Sequence, residues 1–222
     1  MEGFTNRKCT SARFCGAIAL ALGCLGAPAA AQSIGSADTD YDTKRCPHKA
    51  GHAPEDYGEW HCRGLGGMAV LVSAGDQRMT MSFGPRAKDE PAARQTLQSF
   101  NDVYKARLEW RLAREPGGGR AHPFAAIVRW STSLPDESVG VAGTGRPKTI
   151  SGKVLVVTRL GSRGVCHVGY VDALANRNAG ELARKIADEG ARAFRCDTDQ
   201  PVIAGETGPG FSSSSKAEKV DR

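Results

Sequence analysis

Apolar and polar residues alternate through Met79, Met81 and Phe83, with Arg78, Thr80 and Ser82 on the other side, and a turn at Gly75-Asp76 sets Met68, Val70 and Val72 on the same face as the apolar set. Period-two alternation of this kind predicts a half-buried antiparallel ribbon. Gly75-Asp76 is the expected two-residue turn, because glycine accepts the positive φ of a primed turn. A second hairpin is predicted from Arg107–Leu112 and Phe124–Ser131, with Leu108, Trp110 and Leu112 alternating against Arg107, Glu109 and Arg111. The third is Val-rich: Lys153–Leu160 and Val165–Val171 flank Gly161-Ser162-Arg163-Gly164. Symmetry about that turn puts Leu155, Val157, Arg159, Cys166, Val168 and Tyr170 on one face. Pro91–Asn101 reads as a short helix.

After the third hairpin the period changes. Leu182, Ala183, Ile186 and Ala187 form a helical stripe, with Asn178 and Glu181 in capping-box positions and Gly190 as the stop. Glu181–Lys185 and Arg184–Asp188 are the expected i,i+4 pairs. The predicted architecture is α+β: an antiparallel sheet of about six strands built from hairpins, with a C-terminal helix packed on it. Ser33–Arg45 has no pattern and reads, with Gln32, as a flexible lead-in over 32–45. Residues 206–222, with Gly208-Pro209-Gly210 and Ser212–Ser215, read as a disordered tail. Residues 46–205 form a single domain.

The first 31 residues change how composition is counted. Arg7, Lys8 and Arg13 precede an uncharged Ala/Leu-rich run from Cys15 to Ala27, too short to span a bilayer, and Ala29-Ala30-Ala31 supplies small residues for cleavage. The reading is a signal peptide over 1–31 and a periplasmic or secreted chain from Gln32. An uncleaved anchor and lipidation at Cys24 are the alternatives. No other stretch is long and apolar enough to cross a membrane.

Removing residues 1–31 takes away three of the 7 cysteines and leaves Cys46, Cys62, Cys166 and Cys196. An even number in an oxidising compartment predicts two disulfides. Of the three connectivities, the sequence-local pairs Cys46–Cys62 and Cys166–Cys196 are favoured. The net charge of +6 falls to +4 with the loss of Arg7, Lys8, Arg13 and Glu2. That mild positive charge lacks the basic runs of a nucleic-acid binder and suits an anionic or acidic envelope component.

Candidate chemistry is thin. Cys46, His48, His52, His61 and Cys62 cluster near the mature N-terminus, and imidazole with thiolate suits zinc or copper. Pro47, Gly51 and Pro54 oppose the helix that would align His48 with His52. Met68, Met79 and Met81 share a face that could hold copper(I), or could simply fill a core. Arg107, Arg111 and Arg129 form a possible anion-binding face around Glu109. His122 and His167 lie on or beside strands, and Asp136-Glu137 is a loop carboxylate pair.

No G-x-S-x-G elbow is present, and Gly140–Thr149 fails as a phosphate loop because Arg146-Pro147 interrupts it. No catalytic residue and no cofactor motif is assigned, and no motif names a family. The expected function is that of an exported, non-catalytic binding or envelope-interaction protein. The alternatives are a periplasmic zinc or copper protein, or a hydrolase whose site is assembled from distant residues.

Overall fold

A computed structural model describes residues 33–52, 56–97, 100–115, 118–135, 149–208, 211 and 218–219. The expected signal peptide over 1–31, Asp136-Glu137 and nearly all of the Gly140–Thr149 loop lie outside the described residues. The strands are β1 (Ser33–Asp42), β2 (His48–Lys49), β3 (Asp56–Arg63), β4 (Ala69–Gly75), β5 (Arg78–Phe83), β6 (Gln95–Thr96) and β7 (Phe100–Asp102). They continue with β8 (Lys105–Arg114), β9 (His122–Pro135), β10 (Thr149–Arg159) and β11 (Cys166–Asp172). Helix α1 (Ala179–Ile186) comes next, and then β12 (Val202–Ile203) and β13 (Glu218–Lys219).

The class is α+β and mostly β, but the architecture is richer than one antiparallel sheet. A 7-stranded mixed sheet runs β1-β8-β9-β10-β11-β12, with β7 also paired to β9 and β12 parallel to β11. A 4-stranded antiparallel sheet runs β2-β3-β4-β5. The large sheet is covered on both sides. One face carries Leu108, Trp110, Val128, Trp130, Val154 and Val156 into a shared core with Val70, Val72, Met79, Met81 and Phe83 of the small sheet. Phe83 meets Trp110 edge to face, with ring centroids 5.6 Å apart. The other face sets Ile127, Leu155, Val157 and Val171 against Ala179, Ala183, Ala187 and Ala191. That row of alanines at i, i+4 spacing lets α1, and the π turn continuing it through Ala191, lie close to the sheet. Met79 and Met81 are thus core residues, which accounts for the methionine face without a metal.

All three hairpins form, with shifts in detail. The first turn is Asp76-Gln77, both at positive φ, and not Gly75-Asp76. Moving a turn by one residue leaves strand parity unchanged, so the same apolar face stays buried. Bulges alter the other two. Phe124 is the extra residue opposite Arg111 and Leu112, and joins the helix-side core. Val168 is extra opposite Val157 and Thr158. Past it the alternation flips, so Tyr170 enters the inter-sheet core while Val168 stays on the helix side. Sequence symmetry had put them together.

Strands also occur in both segments that flank the expected domain 46–205. The expected flexible lead-in contains β1, which pairs with β8 over its full ten residues. Its polar residues are cross-strand partners: Asp40 faces Arg107, Asp42 faces Lys105, and Thr39 accepts from Trp110 Nε1 at 2.8 Å. In the expected tail, Phe211 is buried and β13 pairs with β6. The predicted helix over Pro91–Asn101 is a 3-10 turn, Pro91–Arg94, followed by β6 and β7. Asn178 caps α1 without a side-chain hydrogen bond, and neither expected i,i+4 pair forms; Lys185–Glu189 forms instead.

Candidate functional site

Both predicted disulfides are present, Cys46–Cys62 and Cys166–Cys196. The first disperses the histidine cluster. It joins the segment before β2 to β3, and the β2–β3 pairing sets His48 opposite Trp60. His48 stacks on Trp60 at 4.7 Å, and its Nε2 lies 2.9 Å from the Tyr57 carbonyl. His61 follows Trp60 and points to the other side of the strand, where it is 3.9 Å from Glu59. His52 sits in the loop between β2 and β3. Among the described residues no group of three or more His, Cys, Asp or Glu could hold a metal ion.

The arginine face is used inside the fold. Arg111 is buried, and its Nε and Nη2 bond both carboxylate oxygens of Asp188 on the helical segment at 2.8 and 2.7 Å. It also donates to Ser36 and lies 3.6 Å from Glu109, which takes a further bond from Arg184 at 3.2 Å. The Asp188 hydrogen bonds hold the Arg111 guanidinium above its ordinary basicity, against the cost of burial. Arg107 lies 3.5 Å from Asp40, and Arg129 is exposed on β9. The cluster thus clamps the helix to the sheet with its own carboxylates. Replacing Asp188 with Ala should cost about 2 kcal/mol in urea unfolding, because it strands a largely buried guanidinium beside one remaining carboxylate. Lys185→Ala, which removes an exposed pair, should cost below about 0.5 kcal/mol. Equal losses would deny the clamp its role.

His167 is fully buried in the inter-sheet core. Its ring stands edge-on to Trp130 and Tyr170, and Nδ1 lies 3.0 Å from the Tyr170 hydroxyl. Burial pushes its pKa down to about 3, so it is neutral. Nε2 has no hydrogen-bond partner among the described residues. A ring enclosed in this way cannot reach a substrate. Its neighbour Cys166 is oxidised and is no nucleophile. His122 is exposed at the start of β9.

The concave surface best furnished for a ligand was not legible in any motif. It is a groove of about 690 Å³ where the two sheets diverge. Its floor comes from the C-terminal end of β9 and the N-terminal end of β10, which line it with hydroxyls from Ser131, Thr132, Ser133, Thr149 and Ser151. Its sides are β7, Tyr57 of β3, Tyr104, and the β4–β5 turn with Arg78.

Strand β7 has only three residues, and Asn101 fixes it. Its buried Oδ1 accepts from Met79 N at 3.0 Å, while Nδ2 donates to Thr96 Oγ1 at 3.0 Å and to Leu97 O at 3.3 Å. Phe100 and Asp102, on either side of Asn101, then present themselves to the groove.

The rim is aromatic. Tyr57, Phe100 and Tyr104 are 51%, 38% and 41% exposed, and they are the only exposed Phe, Tyr or Trp among the described residues. All three line this groove. Trp60 meets Tyr104 edge-on at 5.5 Å, which sets the ring orientation. The Tyr104 hydroxyl is pushed above its usual pKa by burial first, then by Tyr57 and Asp102 close by. It is a neutral donor at physiological pH. Lys153 Nζ donates to Ser131 Oγ at 2.7 Å, and with Arg78 it outweighs Asp102 in charge. Among the described residues the lining contains one carboxylate and no imidazole. Its chemistry is stacking and hydrogen bonding. Compared with protein-family models, curated proteins and solved structures, the chain shows no significant match, so the groove's geometry and chemistry are the ground for a functional reading.

Proposed function

We propose that this is an exported, non-catalytic binding protein of the periplasm or the secreted space, released by cleavage near Ala31, which holds an acidic glycan-type component of the cell envelope in the β9–β10 groove. The observation that carries this reading is the convergence of every exposed Phe, Tyr and Trp among the described residues on one groove floored by hydroxyls. Apolar ring faces beside fixed polar groups are how a protein grips a ligand that is itself part apolar and part hydroxylated. Sugar rings have that character. The excess of Arg78 and Lys153 over Asp102 suits an acid-bearing chain. The two disulfides, and the lack of any helix long and apolar enough to cross a membrane among the described residues, are compatible with this location.

The test is a titration of the protein with soluble acidic glycan strands, freed of peptide, alongside neutral dextran. Binding is expected for the acidic strands, with Tyr57→Ala and Tyr104→Ala each weakening it about tenfold, the equivalent of about 1.4 kcal/mol. Both side chains are partly exposed, so unfolding should not intervene. Unchanged affinity in both variants would move the ligand elsewhere.

A further inference from the structure

A second concave site lies at the opposite end of β10. The groove takes Ser151 and Lys153 from the start of that strand, whereas Arg159 ends it, roughly 20 Å or more away at about 3.3 Å per residue. Here a pocket of about 690 Å³ opens beside the Cys166–Cys196 disulfide, lined by Arg94, Arg163, Arg195, Pro91, Phe194 and Cys196. Arg195 is paired with Asp199 at 3.0 Å, and Asp197 also lines the wall. Arg94 and Arg163 have no carboxylate partner among the described residues, and Arg163 donates only to the Arg192 carbonyl.

Behind the wall stands a third cation. Arg159 is 3% exposed. Its Nε donates to Ala191 O at 3.0 Å and its Nη1 to Gly164 O at 2.9 Å, with Cys196 Sγ 3.9 Å from the same nitrogen. Gly164 and Cys196 both line the pocket, so the guanidinium lies one residue's thickness behind its surface. Two carbonyl oxygens and the disulfide sulfur of Cys196 are its acceptors, and none of them carries a charge. The nearest acid felt by it, Glu90, already accepts from Val165 N at 2.8 Å. Burial, and then the Arg163 charge close by, weaken the Arg159 guanidinium as a base. Buried charge is ordinarily paired, and among the described residues no carboxylate lies within ion-pair distance of Arg159.

We propose that this pocket is a phosphate site, in which Arg94 and Arg163 grip the oxyanion and Arg159 supplies charge from behind. Guanidinium forks match phosphate oxygens in bidentate fashion. The pocket is larger than a phosphate, and Pro91 and Phe194 give it an apolar side. The ligand is therefore the phosphate of an organic ester, either free or in a lipid headgroup. This site is independent of the glycan groove, and neither reading depends on the other.

The test uses the oxidised full chain, isotope-labelled, titrated with inorganic phosphate against chloride at matched ionic strength. Saturable shifts are expected at residues 90–95, 159–164 and 194–197. Arg163→Gln and Arg94→Gln should each weaken phosphate at least tenfold, whereas Arg107→Gln, on β8 beside Asp40, should leave it unchanged. A response equal to that of chloride, or equal affinity in both pocket variants and the parent, overturns the site. A second arm sediments the protein with phosphatidylglycerol vesicles against phosphatidylcholine vesicles. Binding to the anionic vesicles that free phosphate competes away assigns the headgroup. Phosphate binding without vesicle binding assigns the free ester. Vesicle binding that Arg163→Gln does not weaken counts against the pocket.

Discussion

Removing both disulfides is expected to leave the chain largely unfolded at 37 °C. The Cys46–Cys62 pair closes a separation of 16 residues and Cys166–Cys196 one of 30. Chain-entropy arguments give about 3 and about 3.5 kcal/mol for loops of these lengths. Their sum is comparable with the whole stability of an ordinary domain, about 5–15 kcal/mol. The two should not fail alike. Cys46–Cys62 fastens the connection between β1 and β2 to β3 of the small sheet, whereas Cys166–Cys196 ties the segment after α1 back to β11. Cys166→Ser with Cys196→Ser should loosen the helical layer first, seen as early loss of helical amide protection in hydrogen exchange. The measurement is the urea midpoint with and without reductant, and for each serine pair. Coincident midpoints would show that the packed layers suffice without the bonds.

Acid should destabilise the protein between pH 6.5 and about 3 through His167. In the folded chain burial holds this imidazole near pKa 3, whereas in the unfolded chain it titrates at its ordinary value of 6.5. Within that window the unfolded state binds a proton that the folded state refuses, so stability falls as pH falls and levels off above 6.5. At about 1.36 kcal/mol per pH unit, the loss reaches at most about 5 kcal/mol. Other titrating groups add their own slopes, so the diagnostic quantity is the difference from His167→Phe. That variant keeps an aromatic ring against Trp130 and Tyr170 without a site for the proton. Its stability should run flatter with acid than that of the parent. Parallel pH profiles for the two proteins would show that the core admits the proton or that the ring escapes.

The parts of the fold legible in the sequence were those set by neighbours along the chain. Val70–Val72 and Met79–Phe83 alternate because each pleat faces a core, and the bury-versus-expose pattern survived even a one-residue error in the turn. Strand β1 was missed because its alternation carries no apolar signal. Its partners are Arg107, Lys105 and Trp110, about seventy positions on, and the backbone ladder does most of the pairing. The two bulges were missed for a related reason: an extra residue at Phe124 or Val168 leaves no local mark, yet it reverses every side chain beyond it. The site was less legible than the fold. Clusters in sequence, His48, His52 and His61 or Arg107, Arg111 and Arg129, were dispersed or neutralised once strands paired. The rings that do converge, Tyr57, Phe100 and Tyr104, come from segments with no shared pattern.

By itself the sequence determined the strand-rich character, the hairpins and the helix after Asn178, and it favoured the two local cysteine pairs among three connectivities, because alternation, turn residues and loop length are short-range properties. Tertiary structure alone decided which charges meet. Arg184 and Asp188 were suited to one another on the helix, but Glu109 and Arg111 on β8 claimed them, since the partly desolvated ion pairs at the helix–sheet contact outweigh an exposed pair along one helix. It also decided where the charge balance fails, at Arg94, Arg159 and Arg163, and where the aromatic rings gather. Both depend on the packing of distant strands, which no local pattern encodes.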